Sequence, residues 1–152
     1  MDSKEPSEPI SINVYIERNI TVEACIMHNP RPLEGYRILI IEDEMMPARR
    51  ITDMLAELGG TVGKIAFNNE QGWEALGTRW DCGIVDLNLK CKLAYPWVAA
   101  LMQQRIPFIT CSAFGDALDV APEIATATRV NQPVTLERLR DAVLFVIGPR
   151  MH

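Results

Sequence analysis

From Tyr36 to Ile147 the chain alternates short, β-rich apolar runs with segments of helical period, and that alternation leaves few folds open. Five such units can be counted, the pattern of parallel βαβ repeats. Arg37–Ile41 reads as strand one. The segment after it places Ile51, Met54, Leu55 and Leu58 on one helical face and stops at Gly59-Gly60, a C-terminal cap signal. Thr61–Ala66 reads as strand two. Asn68-Asn69 then opens a helix that contains Trp73 and Leu76 and reaches at most to Trp80, and Cys82–Leu87 reads as a buried strand three. Pro96 suits the first turn of a helix over Trp97–Gln104, and Ile106–Cys111 gives strand four. Asp116–Ala127, interrupted by Pro122, predicts a short or irregular helix. Thr128–Val130 gives a short strand five. The last helix carries Leu136, Leu139, Val143 and Val146 at core spacing and ends at Gly148-Pro149.

At 152 residues the chain suits one well-packed domain, here 36–149, with an appendage over 1–35. In that appendage SINVYIERNITVEACI alternates apolar and polar residues twice around Glu17-Arg18-Asn19. Such a pattern suits a β-hairpin that joins a sheet edge, caps a face or pairs with a second copy as a homodimer; a disordered arm is the alternative. His28–Pro32 looks like its linker.

Composition narrows the function. Charged residues make up 23%, and no apolar stretch approaches the roughly eighteen residues of a membrane span. The start, MDSKEPSEP, is unlike a secretory signal, so the expected location is cytoplasmic. The formal net charge of −5, with scattered basic residues, argues against nucleic acid as a partner. Cys25, Cys82, Cys91 and Cys111 lack metal-ligand spacing, and Cys82 and Cys111 read as packing residues.

The chemistry lies at the strand ends. Glu42 and Asp43 follow strand one, Asp86 ends strand three and Ser112 follows strand four. In an open parallel sheet ligands bind outside the carboxyl ends of the strands. If strands one, three and four are neighbours, three carboxylates and a hydroxyl meet there. Two unit charges about 4 Å apart repel by roughly 4 kcal/mol at an effective dielectric near 20, so such a cluster needs a cation or a proton. Hard oxygen donors suit Mg2+, which readily shares a site with phosphate. Glu44, taken alone, reads as a helix-start acid that caps amides and complements the dipole.

These motifs, ILIIEDE, WDCGIVDLNL and IPFITCSAFG, resemble those of the receiver (CheY-like) domain of bacterial two-component response regulators, over roughly Tyr36 to Ile147. They are most similar to a subgroup of single-domain receivers whose fourth strand reads PFxFATG. The resemblance implies a flavodoxin-like, doubly wound (βα)5 fold with parallel sheet order 2-1-3-4-5. It implies that Asp86 is the phosphoacceptor, that Asp43 and Asp86 ligate Mg2+ directly, that Glu42 acts through a water, and that the backbone carbonyl of Asn88 completes the metal set. Ser112 would hydrogen-bond the phosphoryl oxygens. A histidine kinase or phosphotransfer protein would be the donor, and a downstream protein the reader.

Two positions depart from the family. Its strand-five Lys-Pro is Gln132-Pro133 here, so glutamine stands where an ammonium would assist the phosphoryl group. Its aromatic switch position is Arg129, which would either fold over the pocket or lie in solvent. Ala113 and Phe114 also differ from the subgroup's Gly-Tyr. No output domain follows the last helix in this sequence, so the expectation is a phosphoryl-accepting module that signals through its surface rather than a turnover enzyme. A degenerate receiver that binds its partner without phosphorylation is the alternative. A flavin enzyme is disfavoured because the three acids after strand one repel a bare phosphate, and hydrolase readings lack a placed histidine.

Overall fold

Apolar alternation within each strand feeds two cores, one on either side of a single sheet. The computed structural model describes residues 30–87, 94–112 and 127–148. In chain order the elements are β1 (Arg37–Ile41), α1 (Met45–Glu57), β2 (Thr61–Ala66), α2 (Asn69–Ala75), β3 (Cys82–Asp86), α3 (Ala94–Gln103), β4 (Phe108–Ser112), β5 (Arg129–Asn131) and α4 (Leu136–Ile147). The five strands are parallel and lie in the order β2-β1-β3-β4-β5. This is the doubly wound, flavodoxin-like arrangement expected from the motifs.

Successive side chains of a strand point to opposite faces, and β1 shows the consequence. Ile38 and Ile40 pack with Ile51 and Leu55 of α1 and Leu139 and Val143 of α4. Leu39 and Ile41 pack on the other face with Ala75, Trp97, Val98 and Leu101. β3 is buried along its whole length, as a central parallel strand should be. Cys82 and Cys111 are buried free thiols, pushed up to about 12 by burial, and act as small core residues. No helix among the described residues is long and apolar enough to cross a membrane.

Several boundaries differ from the sequence expectation, each for a local reason. The second helix stops short of Trp80. α2 ends at Ala75, leaving Trp73 half exposed, with its ring centroid 4.3 Å from that of buried Trp97. Trp80 lies beyond the helix and folds back, its indole N–H donating to the Ala75 carbonyl at 2.8 Å with the Arg37 guanidinium 4.0 Å above its ring. Ile106 stays outside β4 because its N–H closes α3 on Leu101 O, while the Pro107 carbonyl still accepts from Gly83 N–H of β3 just ahead of the strand. α3 begins at Ala94, ahead of Trp97, and β5 runs one residue later than expected. Leu33, between the arm and β1, is fully buried, and its N–H donates to Leu58 O at 2.9 Å. The hairpin expected before residue 29 and the irregular helix expected over 116–127 lie outside the described residues.

Candidate metal centre

The strands that carry the acids end level with one another. Ile41 of β1 pairs in register with Val85 of β3, so Glu42 and Asp86, the next residues, lie side by side one strand spacing apart. Asp86 in turn registers with Cys111 of β4, and Leu87 N–H donates to Cys111 O at 2.9 Å. Ser112 is therefore the next backbone position beside the acidic pair; its side chain lies outside the described set. Asn88 also lies outside it.

Glu42, Asp43 and Asp86 each offer a carboxylate oxygen within 4.8 Å of the others. Glu42 is 1% exposed and Asp86 7%, while Asp43 is partly buried with its Oδ1 sealed from solvent. Glu42 N–H is held by Ala66 O at 3.1 Å, and Glu42 Oε2 accepts from Glu44 N–H at 3.1 Å, which fixes the carboxylate over the end of β1. Burial, then a hydrogen bond with Asp86 and the Asp86 charge, raise the Glu42 pKa from 4.5 to about 8. Without a cation, the crowded acids retain a proton.

A divalent metal fits this set. Octahedral Mg2+ binds oxygens at about 2.0–2.1 Å, which spaces its ligands roughly 3–4 Å apart. Three hard oxygens within 4.8 Å need little adjustment to reach that spacing. Burial first, and then the neighbouring Asp86, favour the protonated form of Glu42, and a metal would offset both by balancing the carboxylate charge.

The other expected residues are placed as follows. Glu44 stands at the N-cap of α1 with extended backbone but makes no side-chain capping hydrogen bond, so the capping role expected for it is not performed. The amide contact instead runs from Glu44 N–H to Glu42. Gln132 follows β5, joined to Pro133 by a cis peptide bond, and is partly buried. Arg129 is partly buried at the start of β5, in register with Thr110. The sequence did not single out a groove of about 540 Å³ between the start of α1 and the loop after β5, lined by Glu44, Met46, Arg50, Met54, Gln132 and Val134. Met46, exposed two residues after Glu44, was its one visible sign.

No family model and no curated protein matches the sequence. Solved structures do match. The N-terminal domain of a response regulator/sensory box/GGDEF protein from Carboxydothermus hydrogenoformans superposes with a TM-score of 0.61 at 25% identity, covering 73% of this chain and 93% of that one. The PhyR response regulator REC domain of Erythrobacter litoralis gives 0.61 at 20% identity, over 78% of this chain and 98% of that one. CheY of Borrelia burgdorferi, solved in complex with CheX, BeF3 and Mg2+, gives 0.67 at 15% identity, over 79% and 98%. With its strand order, its level strand ends and these neighbours, the chain has the fold of the CheY-like response regulator receiver domains.

Proposed function

We propose that this protein is a phosphoryl-accepting receiver in which Asp86 is the nucleophile and Mg2+ the cofactor. The observation that carries the reading is the meeting of Glu42, Asp43 and Asp86 oxygens within 4.8 Å at the carboxyl end of the sheet. Asp43 and Asp86 would hold the ion directly, and Glu42 through water. Bound there, Mg2+ supplies positive charge against the nucleophile and the phosphoryl oxygens. Asp86 Oδ attacks phosphorus in line, an O–P bond forms, and the bond from phosphorus to the phosphohistidine nitrogen of a histidine kinase or phosphotransfer protein breaks. The β1–β3 register orients Asp86, and burial restricts competing water. Ser112, next in register beyond Cys111, is assigned to the phosphoryl oxygens. Gln132 takes the place of an ammonium and donates neutral hydrogen bonds only. A Mg2+- and BeF3-bearing structure among the fold neighbours is compatible with this assignment. Signalling would pass to a downstream protein through the surface around β5 and α4, by shifting two local packings.

A second reading rests on Gln132: a phosphorylation-independent binding module on the receiver fold. Incubation with Mg2+ and acetyl phosphate separates the two. The phosphoacceptor reading expects one added phosphoryl mass on wild type and none on Asp86→Asn. Absence of any gain, with partner binding equal in both proteins, supports the binding module instead.

A further inference from the structure

A single peptide group ties the acidic site to the helix beside it. Glu42 N–H donates to Ala66 O at 3.1 Å, and Phe67 N–H, the other end of the same peptide, donates to Gln71 Oε1 at 2.8 Å. The cis bond among the described residues is Gln132-Pro133, so the 66–67 peptide is trans. In a planar trans peptide the C=O and N–H point in opposite directions, and a hydrogen bond at each end fixes how the plane is turned.

The Gln71 contact differs from ordinary helix capping. Asn68 is the N-cap of α2, its Oδ1 accepting from Gln71 N–H at 2.9 Å. In a capping box the side chain at the third helical position reaches back to the N-cap N–H. Gln71 holds that position but reaches one residue further, to Phe67, which directly follows β2. The helix that carries Gln71 is itself seated, since Gly72 lies against Trp97 with no room for an added methyl group. Phe67 and Gln71 are both partly buried, which raises the cost of leaving that N–H without an acceptor.

We infer that Gln71 is a positioning residue for the Mg2+ site: by fixing the 66–67 peptide it sets the Glu42 backbone, and with it the placement of the Glu42 carboxylate beside Asp43 and Asp86. The inference rests on the reading of those acids as a Mg2+ site. Two described bonds anchor Glu42, the one from its N–H to Ala66 O and the one from Glu44 N–H to its Oε2. Without the Gln71 oxygen, Phe67 N–H turns to water and the peptide plane is free to tilt. The first anchor then slackens, and the metal must order a ligand that the fold had already placed.

The test uses full-length, 15N-labelled protein titrated with Mg2+ and followed by NMR. Gln71→Met keeps the length and helix propensity of the side chain and removes its oxygen, and should weaken Mg2+ binding by about tenfold, as loss of an outer support does elsewhere. Gln71→Glu restores an acceptor and should restore the affinity. Asn68→Ala removes the neighbouring cap and leaves the Phe67 bond in place, so it should lower stability but keep the wild-type affinity. Wild-type affinity in Gln71→Met, or an equal loss in Asn68→Ala, would overturn the inference. Absence of Mg2+ binding to wild type would instead remove the metal reading. Hydrogen exchange in chelator judges the backbone link by itself: the Glu42 amide should exchange about fivefold faster in Gln71→Met, the loss of roughly one hydrogen bond, and unchanged exchange would overturn the link.

Discussion

At the scale of single residues, the account turns on Glu42 and Gln132. Glu42 is buried between two other acids and titrates near 8 instead of 4.5. The folded protein therefore binds a proton that the unfolded chain gives up, and stability falls as pH rises between those values. In chelator, thermal unfolding should show a protein more stable near pH 5 than near pH 8.5, by an amount of the order of a few kcal/mol. Glu42→Gln should flatten that slope, and a slope that persists in Glu42→Gln would place its source elsewhere. On the proposed reading Mg2+ would replace the proton, so its stabilising effect should grow with pH over the same window. Gln132 stands where the resemblance to receiver domains places an ammonium. Gln132→Lys should raise the rate of phosphoryl incorporation from acetyl phosphate, followed by intact mass against time; an unchanged rate would show that charge at this position does not limit the transfer.

At the scale of elements, each helix must bring its apolar stripe onto the sheet, and α2 does so with little tolerance. Gly72 faces Trp97 so closely that an added methyl would sit 2.4 Å from the indole. Gly72→Ala gains up to about 1 kcal/mol of helix propensity but should lose about 1–3 kcal/mol to overpacking, giving a lower urea midpoint. A raised midpoint would mean that the Trp97 ring yields freely. The same pair shows where the sequence could and could not be read. Ile51, Leu55 and Leu58 follow a helical period, and Gly59 takes the positive φ that the end of α1 requires, so α1 was legible locally. Trp73 and Trp97 were not, because their contact joins residues far apart in sequence: a tryptophan at helical spacing looks the same whether it faces a core or stacks at its rim. The acids were legible one by one as strand-end residues, while their convergence depended on β1 and β3 being neighbours, which the motifs implied and no single segment contains. Leu33 and the groove beside Gln132 had no periodic signal, since each is made by a turn meeting a distant helix.

At the scale of the whole molecule, a parallel sheet with a core on both faces leaves its strand ends as the natural place for polar chemistry, and here two neighbouring strand ends, those of β1 and β3, bring three carboxylates together. In the proposed reaction the fold would supply position, a cation charge balance, and Asp86 the attacking oxygen. An acyl phosphate at that oxygen can be trapped: borohydride reduces it to the alcohol, so a phosphorylated aspartate becomes homoserine. After treatment with Mg2+ and acetyl phosphate, reduction and peptide mapping, homoserine is predicted at position 86 alone, and only when Mg2+ is present. Homoserine at another aspartate, at none, or equally in chelator would contradict a metal-dependent phosphoacceptor at the end of β3.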